Sequence, residues 1–146
     1  MPHFTVIIPC LNALATLGAT LDSIRAQTDR DWEALVVDDG STDRSLTLAT
    51  WYAKTDRRIR VIRNPGRGPS AARNVAMHRA AGEIIAFCDA DDIWAREKLA
   101  RMRAVFADPE VDAAYARIAF FDDRGWRTVS AVPSGALTVP MLMGEN

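Results

Sequence analysis

Asp38-Asp39-Gly40-Ser41-Thr42-Asp43 and Asp89-Ala90-Asp91-Asp92 are the two places where this sequence concentrates groups that can do chemistry. Each cluster ends an apolar run, Ala34-Leu35-Val36-Val37 in the first case and Ile84-Ile85-Ala86-Phe87-Cys88 in the second. An apolar run that ends in carboxylates reads as a buried strand delivering acids to one edge of a sheet. In open α/β sheets, ligands sit in the crevice beyond the carboxyl ends of the strands. Two acidic clusters at one such edge suggest a site for a metal ion and a polar, phosphorylated ligand.

Each cluster also has a plainer reading. Asp89 and Asp91, spaced i and i+2, can converge on one Mg²⁺ or Mn²⁺, which prefers hard oxygen ligands and shares them with substrate phosphates. The same residues could form a solvated acidic turn, with Asp92 capping a following helix. Asp38 or Asp39 can accept hydrogen bonds from a ribose or a base N–H, while Gly40 allows a sharp turn. The alternative is a strand–turn–helix junction with a strong cap. Arg73-Asn74 sits in the first turn of an expected helix, where a guanidinium suits phosphate or a base carbonyl. An ion pair with one of the acids is its alternative.

Other chemistries are excluded. Gly66-Arg67-Gly68-Pro69-Ser70-Ala71 is a poor dinucleotide fingerprint, because it follows the third expected strand and Pro69 withholds an N–H. No GxxxxGK[ST] is present, so there is no P-loop. His3 and His78 stand apart from each other and from any Cys, and are expected at the surface. Ser41 lacks a nucleophile elbow. The arginines from Arg57 to Arg67 interleave with Ile59, Val61 and Ile62 and read as a solvated strand face. The net charge of −1 offers no global field for nucleic acid or an anionic membrane.

The elements that must hold these groups alternate. Phe4–Ile8, Glu33–Val37, Ile59–Ile62 and Glu83–Cys88 read as strands, the third short and near an edge. Leu14, Leu17, Leu21 and Ile24 mark a first helix, with Asn12 as its cap. Ser41 or Thr42 is expected to cap a second helix, with Leu48, Trp51 and Tyr52 inward. Ser70 is expected to cap a third helix with a small face of Ala72, Val75, Ala76 and Ala80. Trp94 is expected to open a fourth carrying Leu99, Met102 and Phe106. A further strand is expected over 111–121, and the pattern weakens from Trp126. This alternation predicts βαβ units, hence an α/β fold with a mostly parallel sheet.

At 146 residues, with 49% hydrophobic and 25% charged residues, the chain can build one real core. Cys10 and Cys88 match no CxxC pattern and are expected as reduced core thiols of a cytoplasmic protein. No apolar stretch approaches the roughly 20 residues that span a bilayer. The start, Met1-Pro2-His3-Phe4, lacks the basic region of a signal peptide.

The assembled segments resemble the beginning of a family 2 glycosyltransferase of the GT-A fold. The stretches that carry the likeness are Val6-Ile7-Ile8-Pro9-Cys10-Leu11-Asn12, Ser23-Ile24-Arg25-Ala26-Gln27-Thr28 and Val36-Val37-Asp38-Asp39-Gly40-Ser41-Thr42-Asp43. Gly68-Pro69-Ser70-Ala71-Ala72-Arg73-Asn74 and Ala81-Gly82-Glu83-Ile84-Ile85-Ala86-Phe87-Cys88-Asp89-Ala90-Asp91-Asp92 complete the set. The resemblance implies a three-layer α/β/α, Rossmann-like nucleotide-binding half. It also implies transfer of a sugar, with inversion, from a nucleotide-diphosphate sugar to a hydroxyl acceptor in glycan synthesis. UDP is the expected nucleotide, and the acceptor (glycan, lipid or protein) is open.

Roles follow by position. Asp39 should contact the base, and Arg73 the base or the phosphates. Asp89 should approach the ribose or the metal, and Asp91 should ligate Mn²⁺ or Mg²⁺ directly. Pro9 and Asn12 should shape the pocket floor, with Asp38 and Ala90 in the same nucleotide site. Leu11 stands where the family often has an aromatic residue; an aliphatic side chain covers a base but gives up a stacking contribution of about 1 kcal/mol or more.

Only 54 residues follow Asp92. The family's acceptor half and catalytic base lie farther on, and Asp122 and Asp123 do not match that base. Residues 1–146 are therefore expected to be the donor-binding portion of a single truncated domain, with the base beyond residue 146. Exposed core surface would then favour self-association. A membrane-peripheral location for the full-length enzyme stays open. A nucleotidyltransferase would want a Gly-rich loop and a Lys after the first strand, which Pro9-Cys10-Leu11-Asn12 lacks. A receiver-like signalling domain would want an Asp after the third strand. A non-catalytic nucleotide-sugar-binding module remains an alternative.

Overall fold

The computed structural model describes residues 3–122 and 125–130, residues 126 and 127 through their backbone alone. Asp123 and the tail from residue 131 lie outside the described residues. The chain forms two compact units, Met1–Ala104 and Val105–Asn146.

Alternation of apolar residues with period two decides the layering of the first unit. Strand β1 (Phe4–Cys10) lies between β2 (Trp32–Asp38) and β4 (Ile84–Phe87), and β3 (Ile59–Arg63) lies outside β2. All three pairings are parallel. Phe4, Val6, Ile8 and Cys10 of β1, with Trp32, Ala34 and Val36 of β2, pack on one face of the sheet. There they meet Leu17, Leu21 and Ile24 of helix α1 (Leu17–Arg25), and Ala49 and Tyr52 of α2 (Ser45–Thr55). Leu99 of α4 (Lys98–Val105) belongs to the same cluster. Ile7, Leu35, Val37 and Ile62 point to the opposite face and meet Ala72 and Ala76 of α3 (Pro69–Met77). Helices thus cover both faces, and the expected three-layer α/β/α fold forms, with β3 at an edge as expected.

Sheet order β3-β2-β1-β4 follows from the right-handed rule for parallel crossovers. Two crossovers through α1 and α2 step outward from β1. The third, through α3, returns across the other face to pair β4 with the free side of β1. The order therefore reverses between β1 and β4, and the carboxyl ends of these strands flank the switch point. Pairing of β1 with β4 stops at Ile7↔Phe87, whereas pairing with β2 continues to Cys10↔Asp38. The Ile7 carbonyl accepts from Cys88 N–H on the β4 side. Pro9, two residues on, has its missing N–H directed to that same side, where the ladder has already ended. Proline is therefore tolerated in a central strand, and the sheet parts there.

A buried polar network closes the opposite end of the sheet. Glu33, 8% exposed, accepts from Thr5 Oγ1 at 2.9 Å and from Ala81 N–H at 2.7 Å. Gly82 N–H donates to Thr5 Oγ1 at 2.9 Å, and Arg60 reaches Glu33 at 3.3 Å. The chain thereby enters β4 in fixed register with β1.

Several expectations are corrected. Trp51 is 54% exposed, because it lies on the outer face of α2 while Ala49 and Tyr52 face the sheet. Helix α3 starts at Pro69 with Gly68 (φ +88°) before it, so Ser70 is inside its first turn instead of capping it. Helix α4 starts at Lys98; Trp94 precedes it as a buried loop residue stacked under Lys98. In the second unit the strand expected over 111–121 shrinks to β5 (Ala119–Asp122), which pairs antiparallel with β6 (Gly125–Val129). Gly125 supports the tight reversal with φ +110°.

Candidate active site at the carboxyl edge

The loop after β1 is built on Asn12, which does not cap α1. Its φ is +50°, in the left-handed region that Asn adopts more readily than most residues. Asn12 Oδ1 accepts from Thr42 N–H at 2.8 Å, Thr42 Oγ1 at 3.3 Å and Asp43 N–H at 3.3 Å. In return Asn12 N–H donates to Ser41 Oγ at 3.1 Å, Ala13 N–H to Ser45 Oγ at 2.8 Å and Leu14 N–H to Asp43 Oδ2 at 3.1 Å. Ser41 and Thr42, expected as helix caps, are thus spent on this clasp. Asp43 serves α2 instead, accepting from Ser45 N–H at 2.9 Å. These hydrogen bonds hold the Asp43 carboxyl below its ordinary range. Leu11, 55% exposed, stands on the lip of this clasped loop.

Asp38 and Asp39 divide their work. Asp38 is 4% exposed, and its carboxylate accepts from Ser41 N–H at 3.2 Å, which forms the turn. Asp39 is half-buried and receives Asn64 Nδ2 at 2.7 Å on one oxygen and Gly68 N–H at 2.8 Å on the other. Each oxygen keeps a lone pair, so Asp39 is a fixed acceptor. Asn64 also accepts from Gly66 N–H at 3.0 Å, which ties the Gly-rich loop to the same acid. Composition alone gave no sign that Asn64 and Gly68 are the partners of Asp39.

The second acidic cluster follows β4. Ala90 is buried, and its carbonyl accepts from Thr20 Oγ1 at 2.9 Å. That anchor leaves the flanking Asp89 and Asp91 exposed. Ser23 and Gln27 of the α1 region extend the support. Trp94 N–H donates to Ser23 Oγ at 3.1 Å and Leu99 N–H to Gln27 Oε1 at 3.0 Å, while Gln27 Nε2 donates to the Ala95 carbonyl at 2.8 Å. Gln27 is fully buried. The segment Ser23–Thr28 had no assigned role in the sequence; it is the bracket for the acidic loop.

Arg73, on α3, donates to Asp89 Oδ1 at 2.6 Å, the ion pair that was one of its two readings. Cys10 and Cys88 are free and buried, as expected of core thiols. Burial first, then the charge of Asp38, pushes the Cys10 thiol up, and burial foremost does the same for Cys88. Desolvation and then the charges of Asp89 and Asp91 raise the Asp92 carboxyl. The acids after β4 therefore concentrate negative charge.

Among the described residues no three His, Cys, Asp or Glu side chains converge as a complete metal cage. Two exposed carboxylates at a strand end suit a different donor set. Mg²⁺ and Mn²⁺ are commonly held by one or two carboxylates, with substrate phosphates and waters supplying the rest. Asp89 and Asp91 fit a cation bound in that way. No helix among the described residues is long and apolar enough to cross a membrane.

Comparison with known proteins agrees with this architecture. The Glycosyl transferase family 2 model matches residues 5–139. The UDP-Glc:alpha-D-GlcNAc-diphosphoundecaprenol beta-1,3-glucosyltransferase WfgD of Escherichia coli is 40% identical over 65% of this chain and 37% of its own length. The mannosyltransferase PcManGT of Pyrobaculum calidifontis, solved with GDP-Man and Mn²⁺, superposes with a TM-score of 0.69 at 36% identity, covering 75% of this chain and 34% of PcManGT. TarS of S. aureus, solved with UDP-GlcNAc, gives a TM-score of 0.68 at 32% identity, covering 74% of this chain and 32% of TarS. The chain spans half or less of the length of the curated relatives it matches. The fold is GT-A, and the chain belongs to glycosyltransferase family 2.

Proposed function

We propose that this chain is the donor-binding portion of an inverting glycosyltransferase that uses a UDP-sugar and a divalent cation to glycosylate a hydroxyl acceptor in glycan or polysaccharide synthesis. The observation that carries the reading is the fixed acceptor Asp39 and the Asp89–Asp91 pair set on either side of β1, at the carboxyl edge where the strand order reverses. Relatives that use or bind UDP-linked sugars support the donor.

In this reading Asp39 accepts a base N–H, with Leu11 covering the base, and Pro9 and the Asn12 loop form the floor. Arg73 offers a planar fork to the phosphates. Asp91, with Asp89, holds Mn²⁺ or Mg²⁺, which supplies Lewis acidity to the departing nucleoside diphosphate. This reading assigns no catalytic base among the described residues. Titration calorimetry of UDP into the chain, with Mn²⁺ and then with EDTA, tests the reading. Mn²⁺-dependent binding of UDP in preference to GDP supports it. Equal binding with EDTA removes the metal role, and preference for GDP removes the donor assignment.

A further inference from the structure

Arg73 makes a short, charge-assisted hydrogen bond to Asp89, one of the two carboxylates that this reading gives to a divalent cation. Asp91 makes no ion pair among the described residues. The Arg73 side chain is 30% exposed, and its guanidinium carbon lies 6.0 Å from the Phe87 ring centroid, on the β4 side. A cation arriving alone would meet Asp89 with a guanidinium already 2.6 Å from Oδ1, and binding through that oxygen would leave Arg73 without its partner. A cation arriving with a diphosphate meets a different balance. The phosphate oxygens complete its coordination and offer Arg73 a second fork-shaped partner.

We propose that Arg73 is an internal counter-ion that competes with divalent cation for Asp89, so that the chain takes up metal together with a nucleoside diphosphate and only weakly by itself. The inference rests on the donor-site reading above. It makes Arg73 a positioning residue that sets the coupling between two ligands. Linkage requires the coupling to be mutual: UDP should tighten Mn²⁺ by the same factor that Mn²⁺ tightens UDP.

The test is Mn²⁺ binding without nucleotide, followed by the paramagnetic resonance signal of the free ion, on the 146-residue chain. Arg73→Gln should bind Mn²⁺ alone about fivefold more tightly than wild type, the scale expected for freeing a carboxylate from a partly exposed pair. The gain must vanish when Arg73→Gln is compared with its parent in an Asp89→Asn background. A general field effect of the lost positive charge would persist there through Asp91. Arg73→Lys, which keeps the charge without the planar fork, should fall between and serves if Arg73→Gln melts early. No gain in either variant, with Mn²⁺-dependent UDP binding intact in wild type, overturns the competition and leaves the donor site standing. A gain that survives Asp89→Asn also overturns it. Failure of every form to bind Mn²⁺ or UDP overturns the inference and the donor-site reading together.

Discussion

Asn12 Oδ1 receives the Thr42 N–H at 2.8 Å, and this bond joins the loop after β1 to the loop after β2. Both loops carry residues of the candidate nucleotide site, Leu11 on one and Asp39 on the other. The clasp fixes their separation before any ligand arrives, which spares the ligand the ordering cost. Asn12→Ala removes the acceptor and places an alanine at φ +50°. It should cost about 1–2 kcal/mol from lost hydrogen bonds and backbone strain together. Asn12→Gly relieves the strain but not the lost acceptor, so it should fall between Ala and wild type. Asn12→Asp keeps the acceptor and should stay within about 0.5 kcal/mol in thermal melts. If Gly melts with Ala, strain contributes nothing and the account of φ is wrong.

The two acidic clusters should separate by variant. Asp91→Ala should abolish the Mn²⁺ dependence of UDP binding, since it removes the ligand proposed to hold the cation directly. Asp39→Asn should weaken UDP by about tenfold while leaving the Mn²⁺ effect in place, because it alters one charged hydrogen bond. Calorimetry of both variants decides the matter. Unchanged UDP affinity in Asp91→Ala would sink the metal role, and unchanged affinity in Asp39→Asn would sink the base role.

Gln27 makes a prediction that the sequence did not suggest. Its side-chain amide bonds Leu99 N–H and the Ala95 carbonyl from a fully buried position. Gln27→Leu fills the volume but orphans both groups, at a cost of about 2–3 kcal/mol. The acidic loop that precedes Ala95 should loosen at the same time. Hydrogen exchange should therefore rise at Asp92 and Trp94 in the variant, ahead of the β1–β2 core. Exchange that rises uniformly would show global destabilisation without a bracket role.

What the sequence disclosed and what it hid divide along physical lines. Strands β1, β2 and β4 were legible because each is an apolar run, two of them leading into acids, and such runs admit few other structures. The placement of both acidic clusters at one carboxyl edge was legible because a parallel sheet follows from the alternation of strands and helices. Helix starts are misleading at Asn12 and Ser41, whose hydrogen bonds join two distant loops, at Ser70, which lies inside the first turn of α3, and at Trp94, which is buried ahead of α4 with its N–H on Ser23 Oγ. Trp51 was misread because large aromatic residues are usually inward, and only the neighbouring Tyr52 is. The partners of Asp39, at Asn64 and Gly68, were invisible because contacts between residues 25 and 29 apart leave no periodic trace.

Acid stability should show two carboxylates at work. The Arg103 guanidinium beside Asp29, and that of Arg58 beside Asp56, hold these carboxyls below their ordinary value of 3.8. A group whose pKa is lower in the folded state contributes stability above its unfolded value and loses it as pH falls through the folded value. Both contributions should be whole at pH 7 and decline once pH drops below about 4. With Arg103 39% exposed, solvent screening keeps the Asp29 pair near about 1 kcal/mol. Asp29→Asn should melt below wild type at pH 7, and the gap should close as pH approaches 3. A gap that widens with acid would reverse the sign and refute the assignment.

Gly82 is required by space and not by its turn. A Cβ at this position would lie 2.6 Å from the Phe4 carbonyl carbon and the Thr5 nitrogen, and 2.8 Å from Thr5 Oγ1. Two of these three atoms are backbone of the central strand, so no side-chain rotation relieves the clash. The same backbone is held by Gly82 N–H on Thr5 Oγ1 and by the Thr5–Glu33 bond. Gly82→Ala should therefore push β4 away from β1 and cost about 1–3 kcal/mol, the scale of overpacking. Thr5→Ala removes one of the clashing atoms but leaves Gly82 N–H without its acceptor and takes one donor from Glu33, so it should not rescue Gly82→Ala. Because β4 carries Asp89 and Asp91 at its far end, Gly82→Ala should also weaken Mn²⁺-dependent UDP binding while the chain is still folded. Full UDP affinity in a folded but destabilised Gly82→Ala chain would show that the register of β4 does not reach the site.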